Sequence, residues 1–324
     1  MQMTFVLGVH RSGTSLLTAG LSHVGCALGR FQNHTNPDNP KGEFEHGDVV
    51  AFDDRLLAHL GASWDNWGFD ATRIDWDAPD LRPWREEAAG ILRAAFEGET
   101  RAALKDPRMA TLLPFWSAVM DDLGWKARHI LMLRPPAEVA LSQVQRSRRR
   151  PHGFPVITDT ESMCALWAVT MHAVLRSIGT EPVLVLRHEA LYDAPRATIE
   201  TSAAHLGLDP DPERLDAFEK HHLDASLRRA HVARDAAEGP WHEIARALYD
   251  DIVPEGASVL RQGDWGNGFA AKQVRLNAAL PLLPAVHRSI GSLRARLDAA
   301  PVPAPVPVPD PPARHSLLRR FLRR

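Results

Sequence analysis

Cysteine is nearly absent: Cys26 and Cys164 are the only two in 324 residues. Two thiols cannot build a disulfide framework, and these lack the spacing of metal ligands. Both stand in apolar helical patterns, where a thiol behaves as a small buried hydrophobe. Long apolar runs are also missing; none approaches the ~20 residues that a bilayer-spanning helix needs. The N-terminus has no charged region ahead of an apolar one, because Met1-Gln2-Met3-Thr4 runs directly into a strand-like segment. These absences predict a cytoplasmic body. Charge of one sign is lacking too: 38 Lys and Arg face 40 Asp and Glu, a net charge of −2. No global field recommends nucleic acid as a partner. The chain has no internal repeat.

What is present alternates strands with helices. Met3 to Gly8 reads as a short buried strand, and Leu16, Leu17, Gly20, Leu21 and Val24 recur at helical spacing after it. Residues 29–47, rich in Asn, Pro and Gly, are loop. Helices are predicted from Val49 to Leu60, Pro83 to Phe96, Thr111 to Leu123, from Pro135 onward, and from Arg196 to Leu206. Asp159 and Thr160 cap another that carries Met163, Leu166, Trp167, Thr170 and Val174. Strands are predicted at Ala102 to Leu104, His129 to Leu133 and Val183 to Leu186. The pattern predicts an α/β fold, a P-loop NTPase-like parallel sheet flanked by helices, over residues 1–210. A mainly helical extension follows over 211–299. Residues 300–313 form a proline-rich linker of extended character. Residues 314–324 form a basic amphipathic terminal segment suited to an anionic membrane face or a partner protein.

The loop after the first strand carries chemistry. Gly8 and Gly13 have the G-x-x-x-x-G spacing of a phosphate loop between strand and helix. Backbone N–H groups of such a loop converge on an anion, and the helix N-terminus behind adds about half a positive charge. The lysine that an NTP hydrolase places next is replaced by Thr14, followed by Ser15, and the cation stands inside the loop as Arg11. The strand at His129 to Leu133 ends in Arg134 rather than in a magnesium-binding Asp. Hydroxyl donors and one arginine suit a compact 5′-phosphate with a transferable group and no metal.

The segment Gly8-Val9-His10-Arg11-Ser12-Gly13-Thr14-Ser15-Leu16-Leu17 resembles the 5′-phosphosulfate loop of sulfotransferases that use 3′-phosphoadenosine-5′-phosphosulfate (PAPS), with the flavour of their bacterial glycan-modifying and tyrosylprotein branches. The likeness extends to Arg134 at a strand end with Ser142 eight residues on. In that family such a pair binds the donor's 3′-phosphate, the arginine as a charged fork and the serine as a short donor. Lys105-Asp106-Pro107 is similar to the Lys-Asp-Pro element of the tyrosylprotein branch, and Asn39-Pro40-Lys41-Gly42-Glu43-Phe44-Glu45 to a segment of bacterial relatives. Arg187-His188-Glu189-Ala190-Leu191 is similar to a Tyr-Glu-Asp-Leu element, with substitutions. Arg261-Gln262-Gly263-Asp264-Trp265 is too degenerate a match to carry a role.

The resemblance implies transfer of a sulfuryl group from PAPS, with adenosine 3′,5′-bisphosphate (PAP) leaving, to a carbohydrate or glycolipid hydroxyl. Donor binding is expected at Arg11, Ser12, Gly13, Thr14, Ser15, Arg134 and Ser142. Arg11 and Lys105 are the expected electrostatic catalysts. Glu45 is the first candidate for general base, with His46 and Glu43 as the others, since consecutive residues cannot all face one point. The basic run from Arg146 to Arg150 borders the 3′-phosphate, attracts an anionic acceptor or stays a solvated face; Trp64 and Trp67 stack on sugar or belong to the core. A P-loop small-molecule kinase and a non-catalytic nucleotide-binding adapter are the competing readings.

Overall fold

A computed structural model of the chain describes residues 1–29, 34–35, 39–149, 157–178, 182–224, 238–253 and 256–260. Five strands among these form one sheet in the order β2-β1-β3-β4-β5. They are β1 (Gln2–Leu7), β2 (Arg101–Leu104), β3 (Lys126–Leu133), β4 (Val183–Arg187) and β5 (Ser258–Leu260). The first four run parallel, and β5 closes the β4 edge antiparallel. Parallel neighbours require crossovers, and helices supply them. These are α1 (Thr14–His23), α2 (Gly47–His59), α3 (Arg82–Ala95), α4 (Leu113–Leu123), α5 (Pro136–Arg149), α6 (Thr160–Ser177), α7 (Ala190–Asp193) and α8 (Pro195–Leu206). Two more, α9 (Pro212–His222) and α10 (Pro240–Ile252), follow.

Side-chain alternation along the strands decides what each face buries. Val6, Ile130, Met132, Leu184 and Leu186 form one core with Leu17 and Leu21 of α1, Ile199 and Ala203 of α8, and Leu215 and Phe218 of α9. The helix α9 thus packs on the same sheet face as the elements before residue 210. On the other side α10 lies against α5 and α6. A separate aromatic group, Phe52, Trp84, Phe115 and Trp116, locks α2, α3 and α4 together. Trp67 is buried, whereas Trp64 is half-buried.

Local signals account for the helix ends. Asp159 caps α6, its carboxylate accepting from the Ser162 N–H at 2.7 Å. The proline that opens the helix after β3 is Pro136 rather than Pro135. The third strand starts at Lys126, three residues before the predicted start at His129. Its polar start is held by the pairing of Lys126, Ala127 and Arg128 with Gln2, Met3 and Thr4, which hydrophobic periodicity does not register. Among the described residues no helix is long and apolar enough to cross a membrane. Arg150, the Arg261 to Trp265 stretch, the proline-rich linker and the basic terminal segment lie outside the described residues.

Candidate active site

The strand order places a topological switch between β1 and β3, because the chain leaves β1 toward β2 on one side and returns to β3 on the other. Open α/β sheets bind ligands outside the carboxyl ends of their strands at such a point. The loop of residues 8–13 follows β1, Lys105 follows β2, Arg134 follows β3 and His188 follows β4. One cleft at this end is lined by Arg11, Gly13, Thr14, Ser15, Glu45, Lys105, Arg134 and Ser142 together with Glu43 and Arg146. Ser12 and His46 do not line it. Ser12 is fully buried, and its N–H donates to the Val9 carbonyl at 3.3 Å. His46 caps the start of α2 without a side-chain hydrogen bond to it and packs beside Phe96.

The loop is wound tightly. Arg11 has φ 70°, a left-handed conformation uncommon for a side-chain-bearing residue and characteristic of functional turns. Gly13, with φ +88°, caps α1, and a Cβ there would stand 2.7 Å from His188 Cδ2. Glycine therefore satisfies both the backbone angle and the close approach of the β4 end. The arginines are already organised: Arg134 Nη1 donates to the Arg11 carbonyl at 2.9 Å, and Arg11 Nε donates to Ser142 Oγ at 3.1 Å. Arg134 also pairs with Glu138 at 3.0 Å, which fixes its fork. On the other side, Ser15 Oγ donates to the Glu43 carbonyl at 3.1 Å and accepts from Asn39 Nδ2 at 3.2 Å. These bonds tie the segment around residues 39–45 to the loop.

Opposite the loop, Lys105 donates to Glu45 Oε1 at 2.5 Å; the lysine is only 3% exposed. Burial raises the Glu45 carboxyl above its ordinary value, and Lys105 opposes that shift by favouring the charged form. Behind Lys105 stands a rigid support. Asp106 accepts from the Arg108 N–H and from Arg108 Nη1, both at 2.9 Å. Asp53 on α2 is fully buried and accepts from Trp116 Nε1 at 3.0 Å. Burial, and Asp106 beside it, push its carboxyl well above the ordinary range. His10 is neutral for a similar reason: burial, then Arg108, Arg146, Lys105 and Arg11, press its pKa well below the ordinary imidazole value.

The residues present fit an anionic nucleotide. The N-terminus of α1, with Arg11, Arg134, Arg146, Lys105, Thr14 and Ser142, lines one cleft. Among the described residues no group of three or more His, Cys, Asp or Glu is placed to hold a metal ion. Sequence reading did not assign His188, Tyr192 or His222, which also line the cleft. His188 and Tyr192 come from an element whose family match is imperfect, and His222 from a helix with no recognisable motif.

Residues 4–213 match the model of the Sulfotransferase family. The fold is that of sulfotransferase STF9 from Mycobacterium avium, with 16% identity, 78% of each chain covered and a TM-score of 0.50. The sulfotransferase domain of the Synechococcus olefin synthase also aligns, at 18% identity over 82% of this chain and 91% of that one, with a TM-score of 0.40. No curated protein matches the chain.

Proposed function

We propose that this chain, which belongs to the sulfotransferase family and is a PAPS-dependent enzyme, transfers a sulfuryl group to a hydroxyl of a carbohydrate or glycolipid by metal-independent in-line displacement. The observation that carries the reading is the convergence of Arg11, Arg134 and Ser142 on the loop, with the Lys105–Glu45 pair facing the same cleft. Bound there, PAPS supplies the activated sulfuryl group and a phosphate leaving group. The loop N–H groups, Thr14 and Ser15 hold the 5′-phosphate side, and Arg134 and Ser142 the 3′-phosphate. Arg11 and Lys105 stabilise charge that develops on transfer. Glu45 removes the acceptor's proton; burial lifts its carboxyl toward the working pH, which favours a general base. Glu43 lines the same cleft, whereas His46 does not. The basic segment 314–324 docks the cytoplasmic enzyme to an anionic inner membrane face; co-sedimentation with anionic and neutral vesicles tests that assignment.

Competition binding tests the donor reading. PAP should displace a labelled nucleotide more tightly than AMP, which lacks the 3′-phosphate. Arg134→Ala should reduce that preference about 10- to 100-fold, the scale of a lost hydrogen bond to a charged group. Equal affinity for PAP and AMP in the wild type would remove the basis for the donor assignment.

A further inference from the structure

Among the described residues two that are not glycine have a left-handed backbone: Arg11 in the loop, and Phe44, with φ 54°, between Glu43 and Glu45. For a bulky side chain that conformation costs free energy and persists only where the surroundings over-determine it. The surroundings of Phe44 do so. Lys41 Nζ donates to the His221 carbonyl at 3.1 Å, and the Glu43 N–H donates to the His34 carbonyl at 2.9 Å. The Glu43 carbonyl accepts from Ser15 Oγ, and Glu45 accepts from Lys105. Between these anchors the Phe44 ring meets the His222 imidazole edge-on, with centroids 5.7 Å apart. It also packs against the core that α9 shares with α1 and α8.

His221 and His222 are the last two residues of α9, a helix that lies almost wholly beyond the family-matched residues 4–213. The His222 ring is itself held from two sides. It stacks on Phe218 of the same helix and meets His23 of α1, with centroids 6.0 and 5.2 Å apart. Burial, then His23, His221 and Lys41, press its pKa down to about 4. At neutral pH the ring is therefore uncharged and takes an aromatic neighbour without desolvating a charge.

We propose that Phe44, seated on His222, is a positioning residue: it holds the left-handed turn that sets the Glu45 carboxylate against Lys105, so that α9 fixes the general base. This rests on the reading of Glu45 as that base. Rotation about φ of residue 44 carries the chain that follows, so the turn decides where the next side chain lies. Without the ring, the turn loses the contact that offsets its cost. It then relaxes to ordinary backbone and carries residue 45 away from Lys105.

Glutamate labelled with 13C at the carboxyl carbon reads the titration of Glu45 directly, its resonance identified by its absence in Glu45→Gln. In the wild type the midpoint should lie above that of an ordinary glutamate. Burial outweighs the opposing pull of Lys105, while Asp106 and Glu43 act in the same direction as burial. In Phe44→Ala the carboxyl should leave this setting, and the midpoint should fall toward about 4.3. Phe44→Tyr, which keeps a ring for His222, should restore it. The Kd for PAP should change little in either variant. An unchanged midpoint in folded Phe44→Ala overturns the proposal. So does a fall accompanied by a loss of PAP affinity of about tenfold or more, since general loosening of the cleft would then account for both. Should Phe44→Ala fail to fold, His222→Ala removes the seat and leaves residue 44 intact. Its midpoint should fall likewise, and an unchanged one overturns the proposal. Sulfuryl transfer left intact by Glu45→Gln, or PAP bound no better than AMP, sinks the parent reading instead, whatever the titration shows.

Discussion

Glu45 and Lys105 face each other across the cleft, and Asp53 is buried behind them. As the proposed general base Glu45 would work only when deprotonated, and its folded pKa is raised by burial. The rate should therefore climb with pH through a midpoint above that of an ordinary glutamate and then level off. Glu45→Gln should lower kcat about 10²–10³-fold and abolish that limb, as a kcat–pH profile would reveal; an unaltered limb would move the base elsewhere. Asp53 titrates in the same direction for a structural purpose. Its folded pKa lies above its unfolded one, so its contribution is fully present below the unfolded pKa and is lost as pH rises through the folded value. Over that window it weakens the fold by about 1.4 kcal/mol per pH unit. Asp53→Asn, which cannot titrate, should flatten the pH dependence of stability, read as the denaturant midpoint measured across pH.

At the scale of elements, the loop depends on how closely the helix behind it approaches its neighbours. Gly20 of α1 faces α8 so closely that a Cβ would lie 2.2 Å from Ile199 Cδ1 and 2.9 Å from Cγ1. Gly20→Val should cost about 1–3 kcal/mol through overpacking, measured by urea unfolding. Loss of PAP affinity under fully folded conditions would show that the strain reaches the N-terminal turn that carries the anion site. The helices themselves were legible because their apolar residues recur at 3.6 and their ends carry ordinary signals, as Asp159 does for α6. The start of β3 was not, since Lys126 and Arg128 carry no apolar signal and are strand only by pairing with β1.

At the scale of the whole molecule, the cleft proposed to bind the donor is assembled from the ends of four strands, and ligand binding there would couple to folding. PAP at 100 times its Kd should stabilise the protein by about 2.7 kcal/mol, seen as a rise in Tm. Arg134→Ala should shrink that rise at the same PAP concentration, because Arg134 joins the end of β3 to the loop after β1 through the Arg11 carbonyl. A Tm that does not respond to PAP would contradict a preassembled site.

The sequence alone determined the class of chemistry. A glycine-spaced loop between strand and helix, without the phosphate-loop lysine, specifies an anion site through backbone N–H groups, and that property is local. Arg134 and Ser142 were recognisable at a strand end and on the following helix for the same reason. Which candidates face one another follows from the packing of the folded chain. Glu45 meets Lys105 across a separation of 60 residues, while the adjacent His46 lies outside the cleft lining. Ser12, in the middle of the loop, is fully buried. His10 borders both the cleft and a second, smaller cavity. Side-chain direction in a non-repeating loop follows individual backbone angles, such as the left-handed turn at Arg11, and those are set by the elements packed around it rather than by any periodicity in the chain.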